Sequence, residues 1–267
     1  MTAISEYQGG RRNAQLIGLT ELVDYCDQLL DAASFQDYCP NGLQVEGRGE
    51  VNKIVSGVTA SQALIDAALQ QRADLLLVHH GFFWKGEDPC LTGMKRRRIR
   101  ALLADEISLL AYHLPLDAHP GLGNNAQLAQ RLGLVEQGRF GDGRGPDLAC
   151  YGSLPEALSS AGLSERIHQA LGRRPQCITG TVKPLQRIGW CTGAAQNYLE
   201  AAARRGLDAF ISGEISEPSV HIAREYGIDY FAAGHHATER YGVQALGERL
   251  SKEFAIEHIF IDIDNPV

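Results

Sequence analysis

Three short stretches gather side chains of the types that bind metals or move protons: His79-His80, His113 with Asp117 and His119, and His235-His236 with Glu239. Six of the nine histidines sit there. Each stretch follows an apolar run of strand type, at Leu75 to Val78, Leu109 to Tyr112 and Tyr230 to Ala233. The carboxyl ends of strands are where α/β proteins place their chemistry. A single histidine at a strand end is usually structural, but histidines gathered with carboxylates at three strand ends point to a metal centre. Neighbouring strand residues face opposite ways. His79 and His80 therefore share one ion only if the strand breaks, for which Gly81 is well placed, or else they serve two adjacent ions. His235 and Glu239 fall on one face of a helix that begins after Gly234, and Asp117 adds a second carboxylate. Imidazoles and carboxylates without a thiolate suit zinc, iron(II), manganese or cobalt better than calcium or magnesium. Two divalent ions bring about +4, two carboxylates about −2 and a hydroxide about −1, leaving roughly +1 to meet a small anionic substrate. Two ions about 3.5–4 Å apart activate a water between them, which makes hydrolysis the natural reaction class. His113 and His119 are candidates for acid/base work or for supporting ligands, and His236 reads as a pocket hydrogen bonder.

The elements that must position these groups alternate along the chain. Helix signals run from Thr20, a possible cap, through Leu22, Val23, Cys26, Leu29 and Leu30, then over Gln62 to Gln71, about Lys95 to Ala104, and Asn124 to Leu132. Strand signals fall at Val51 to Val58, Asp74 to His80 and about Ile107 to Leu114. That αβ alternation predicts a mainly parallel sheet flanked by helices. Gly133 to Gly145 is the best candidate for a linker or surface loop. The second half then repeats the first at an offset of 134 residues: Asp74 falls on Asp208, Ile54 to Val58 on Ile188 to Thr192, Gln62 on Gln196, and Leu75 to Val78 on Ala209 to Ser212. With a shorter connection in the second copy, His113-Leu-Pro-Leu-Asp117 meets His235-His-Ala-Thr-Glu239, both reading His-x-x-x-carboxylate. The fold expected is α/β: two related lobes with mainly parallel or mixed sheets flanked by helices, and the metal site in the cleft between them. The boundaries expected are an N-terminal extension over 1–18, a first lobe over 19–135 completed by a C-terminal strand within about 240–267, and a second lobe over 136–239.

Composition narrows the function classes. At 267 residues, 44% hydrophobic and 21% charged, the chain has the make-up of a globular protein. A formal charge of −7 argues against bulk nucleic-acid binding. No apolar run approaches the roughly 20 residues of a membrane span. Residues 1–14 are polar and lack the apolar stretch of a secretory signal, so a cytoplasmic location is expected. The six cysteines form no Cys-x-x-Cys pair and call for no disulfide framework. The basic run Lys95, Arg96, Arg97, Arg98 and Arg100 reads first as a solvated helix face. Phe82, Phe83, Trp84 and Lys85 either pack as a loop or subunit contact, or stack a base and hold a phosphate at the rim of the site.

The sequence resembles the Nif-three-like, YbgI-type dinuclear metal proteins, also named GTP cyclohydrolase I type 2 homologues. The motifs that carry the resemblance are Tyr38-Cys-Pro-Asn-Gly-Leu-Gln-Val-Glu-Gly47, Gly57-Val-Thr-Ala60, Val78-His-His-Gly81, His113-Leu-Pro-Leu-Asp-Ala-His119, Ser212-Gly-Glu-Ile-Ser216 and Gly234-His-His-Ala-Thr-Glu239. It covers the chain from about Leu19 onward. The resemblance implies two metals held by His79, His80, Asp117, His235 and Glu239, with Glu239 bridging; His113 and Glu239 are the catalytic candidates. It implies a homohexamer built as a trimer of dimers, and an inserted domain that is here absent or reduced to a few elements around Gly138 to Gln186. It also implies a hydrolase whose metal-activated water attacks a small phosphorylated or nucleotide-like substrate. A metal-binding or scaffold assembly without turnover, and a nucleic-acid-binding ring, are the other readings of the same residues.

Overall fold

Asp74 and Asp208 each sit just ahead of a strand and do the same work in the two halves of the chain. Asp74 Oδ2 accepts the backbone N–H groups of Asn52 and Lys53, both at 2.9 Å, and Asp208 Oδ2 accepts those of Gln186 and Arg187 at 3.0 and 2.7 Å. The strand registers agree as well, with Ile54 opposite Leu75 in one sheet and Ile188 opposite Ala209 in the other. The repeat read from the sequence is thus present as two copies of one αβ unit. A carboxylate that satisfies two backbone donors at a strand entry is costly to lose. Asp208→Ala is expected to lower unfolding stability by about 1–3 kcal/mol, read from urea denaturation.

The computed structural model describes residues 16–141 and 147–267. A five-stranded sheet runs in the order Glu257–Phe260, Lys53–Thr59, Leu75–His80, Ser108–Ala111, Gly42–Val45, all neighbours parallel except the last pair. A six-stranded sheet runs Val135–Phe140, Ala149–Leu158, Leu185–Cys191, Ala209–Ser212, Asp229–Ala232, Gln176–Ile178, with the three repeat strands parallel and the others antiparallel. Leu75-Leu-Leu-Val78 is an unbroken apolar run because helices cover both faces of its sheet, and all four residues are fully buried. Helices Leu19–Leu29, Gln62–Gln70, Gly93–Ala104 and Asn124–Leu132 lie close to the positions expected. Thr20, however, sits inside the first turn, and Gly18 takes the cap position.

The expected linker is corrected in part. Val135–Phe140 is an edge strand, anchored by the buried Phe140 and lying under the Tyr151 ring at Gly138. A lone large apolar residue at its far end gives no alternating pattern to read. Residues 142–146 of that expectation lie outside the described residues, as do residues 1–15 of the expected extension. Ile17–Gly18 already pairs with Glu50–Val51. Toward the C-terminus, the 20-residue helix His235–Phe254 precedes the short strand Glu257–Phe260. This helix gives Val243, Leu246 and Leu250 to the core of the five-stranded sheet and Ala237 and Tyr241 to that of the six-stranded sheet. The helix is therefore held between the two cores. Among the described residues no helix is long and apolar enough to cross a membrane.

Candidate metal centre

His79 and His80 are the last two residues of one strand, and at its end their rings come together, with centroids 4.6 Å apart. Each faces a different oxygen of Glu239. Nε2 of His79 lies 3.5 Å from Asp117 Oδ1 and 3.6 Å from Glu239 Oε1. Nε2 of His80 lies 3.2 Å from Glu239 Oε2, and Nε2 of His235 lies 3.0 Å from that same oxygen. Glu239 therefore offers one oxygen to each of two triads, His79-Asp117-Glu239 and His80-His235-Glu239. His235 and Glu239 meet because they stand one turn apart at the start of their helix. Asp117 reaches the cluster from the short helix Leu114–Ala118, which follows the strand Ser108–Ala111 of the five-stranded sheet.

The donor set fits metal ions on three grounds. Metal bonds of 2.0–2.2 Å in a tetrahedral site put ligand atoms roughly 3.4 Å apart, the spacing seen in the deeper triad. Glu239 Oε2 is buried and has no hydrogen-bond partner although two imidazole nitrogens lie beside it, which is the arrangement expected where lone pairs converge on a cation. The outer nitrogen of each imidazole is also engaged: His79 Nδ1 with the Tyr112 carbonyl at 2.8 Å, His235 Nδ1 with Glu214 Oε1 at 2.7 Å, and His80 Nδ1 with Thr59 Oγ1 at 3.2 Å. With Nδ1 carrying the proton toward carbonyl and carboxylate, Nε2 keeps its lone pair for the interior. Without metal, these groups hold one another's charge. Burial works to lower His79, but Asp117 and Glu239 raise it to about 9; His235 follows the same pattern through Glu239 and Glu214, also to about 9. Burial, aided by its cationic neighbours His79 and His235, pushes His80 down to about 4. Glu239 stays ionised despite full burial because the imidazoles surround it.

Other side chains hold the cluster in place, and of them the sequence patterns gave a role to His113 alone. Asn124, fully buried, donates Nδ2–H to Asp117 Oδ1 at 2.8 Å and accepts the Gly242 N–H at 2.9 Å, tying Asp117 to the bridging helix. Asn125 accepts the Thr192 N–H, and the Thr192 hydroxyl donates to Asp117. Asp37 accepts from His113 Nδ1 at 2.7 Å and from Asn41 and the Leu114 N–H. Burial opposes its charge, yet His113 and the other donors bring it down to about 2. His113 thereby joins His79 and His80 as a third clustered imidazole. A histidine between two carboxylates is a recognisable motif only when sequence-adjacent; Asp37 and Glu214 reach theirs across loops. Glu214→Gln keeps the shape and removes the charge behind His235, and is expected to weaken divalent-metal affinity about 10–100-fold, measured by competition with a chromophoric chelator.

The remaining candidates lie elsewhere. His119 Nδ1 accepts the N–H groups of Gly121 and Leu122 and closes a turn. His236 pairs with Asp262 at 2.7 Å. Trp84 packs edge-on to His113, with ring centroids 5.1 Å apart, while Phe82 is buried and Phe83 lies under the Lys95 ammonium. A cavity of about 550 Å³ opens onto the cluster at Asp117, His235 and Glu239, with His113 and Tyr38 in its wall.

Comparison with known proteins agrees with this architecture. A family model described as Duf34/NIF3 (NGG1p interacting factor 3) matches residues 17–266. A Pseudomonas aeruginosa protein named GTP cyclohydrolase 1 type 2 homolog is 58% identical over 250 residues, covering 94% of this chain and 99% of its own, and an Allochromatium vinosum protein of the same name is 52% identical over 254 residues, covering 95% and 99%. Among solved structures, protein ybgI, described as of unknown function, superposes with a TM-score of 0.91 at 49% identity, covering 94% of this chain and all of its own. A Thermus thermophilus protein gives 0.84 at 34% identity, with coverage of 94% and 100%. Matched along nearly its whole described length, the chain belongs to the Duf34/NIF3 family.

Proposed function

We propose that the chain is a dinuclear metal-dependent hydrolase acting on a small substrate. The observation that carries this reading is Glu239, a buried carboxylate with one oxygen in each of two histidine-containing triads. His79, Asp117 and Glu239 would hold one divalent ion, and His80, His235 and Glu239 the other; zinc, iron, manganese and cobalt all suit such a donor set. Ions bound there supply Lewis acidity and bring the pKa of a water toward neutrality. The protein's own groups do the rest. Asp37 holds His113 through Nδ1 and leaves Nε2 to receive or return a proton at the cavity wall. Asn124 and Thr192 fix the Asp117 carboxylate, and the cavity confines a small molecule against the cluster. The assembly expected is a homohexamer, a trimer of dimers, readable by light scattering.

The decisive experiment is metal analysis of the purified chain together with a hydrolytic substrate screen of wild type and His79→Ala. Turnover that vanishes on chelation, returns with added metal and is absent in His79→Ala is the expected result. Bound metal with no turnover across the screen would instead assign the centre to metal carriage.

A further inference from the structure

The cavity at the metal cluster has a chemical character of its own. Its rim carries two carboxamides, Gln36 and Asn197, and two phenol rings, Tyr38 and Tyr198, while Leu114 and Leu148 give it apolar wall. Gln36 and Asn197 belong to different parts of the chain, one in the loop that leads to Asp37 and the other in the 3₁₀ turn Gln196–Tyr198. Each presents a donor and an acceptor side by side, the complement of a cyclic –NH–C(=O)– edge. Tyrosine rings offer flat, amphipathic surface to a planar ring. Among the described residues that line this cavity the ionisable side chains of this cluster are Asp117, Glu239, His113 and His235, and none is lysine or arginine. Phosphate chains are ordinarily recognised by the fork of arginine or the ammonium of lysine. Two basic residues of the helix Gly93–Ala104, Arg96 and Arg100, line a different surface hollow.

From this lining the geometry points to a lactam-type ring, of nucleobase or hydantoin size and without a polyphosphate arm, as the ligand of the cavity. The inference rests on the hydrolase reading only for what happens next. A water oxygen adds to the ring carbonyl carbon, the ring C–N bond breaks, and the nitrogen leaves with the proton that the water gives up. Ring plus water equals the open-chain acid, with no change of oxidation state.

Binding is the test, because it does not require turnover. Hydantoin, dihydrouracil and GTP would be presented to the full metal-loaded chain and followed by ligand-observed NMR, in wild type and in Asn197→Ala and Gln36→Ala. Both substitutions fall on exposed rim positions in separate segments, so misfolding of both is not an escape. The expected result is binding of the two rings, loosened about fivefold to tenfold by either substitution, and weaker binding of GTP. Rings that bind in this way but are never opened would uphold the inference and sink the hydrolase reading. GTP bound more tightly than either ring would overturn the inference, as would the absence of ring binding. If chelator-sensitive hydrolysis of some other compound accompanied that absence, the hydrolase reading would survive alone.

Discussion

Replacing Glu239 by glutamine is expected to strip both ions from the chain, whereas Asp117→Asn or His235→Ala is expected to disturb mainly one. The reasoning is geometric. Oε1 of Glu239 belongs with His79 and Asp117, and Oε2 belongs with His80 and His235. Glutamine fills the same volume but exchanges one carboxylate oxygen for an NH₂ group that cannot ligate, and it removes the charge shared by both triads. Elemental analysis after gel filtration reads the stoichiometry directly, and circular dichroism checks the fold. A second readout is thermal. A ligand present at a hundredfold excess over its Kd stabilises the folded state by about 2.7 kcal/mol per site, and that metal-dependent gain should vanish in Glu239→Gln. One ion retained at wild-type affinity would mean that the carboxylate serves a single ion and that the dinuclear reading is wrong.

Much of this centre was legible because strands and helix starts advertise themselves. The apolar runs ending at His80 and Tyr112 place their following residues at sheet ends without any knowledge of the tertiary fold. The His235 to Glu239 spacing has meaning as soon as a helix is read there. The repeat was visible through Asp74 and Asp208, since a carboxylate capping a strand entry is a local device that leaves a residue at a fixed distance from the strand. What stayed hidden was everything that depends on loops crossing between elements. Asp37 meets His113 over a sequence separation of 76, and Glu214 meets His235 over 21. Neither pairing has a period, so no pattern reports it. Asn124 was read only as the start of a helix, yet its side chain joins the Asp117 turn to the backbone of the bridging helix. The edge strand Val135–Phe140 was missed for the opposite reason. An edge strand has little to bury, and Val-Glu-Gln-Gly-Arg-Phe carries the glycine and charge of a loop.

Gly193 supplies the sharpest test of how tightly the cluster is enclosed. It follows the strand Leu185–Cys191 with φ of +69°, and a Cβ built on it would overlap Glu239 Oε1 and come within 3.3 Å of His235 Nε2. The absent side chain is therefore space in which the shared carboxylate lies. Gly193→Ala carries two separable penalties. A left-handed backbone costs an alanine roughly 1–2 kcal/mol, which any glycine of that conformation would reveal, and the methyl group displaces a carboxylate that both triads use. Gly172 isolates the first penalty, for its φ is +70° and nothing lies within 4 Å of the position a Cβ would take. Gly172→Ala should lower unfolding stability by roughly 1–2 kcal/mol and keep its full complement of metal. Gly193→Ala should show a similar loss in the metal-free chain and should in addition fail to retain either ion through gel filtration. Equal metal content in the two variants would show that the Glu239 carboxylate can move aside without releasing its ligands, and that the enclosure by Gly193 does not define the centre.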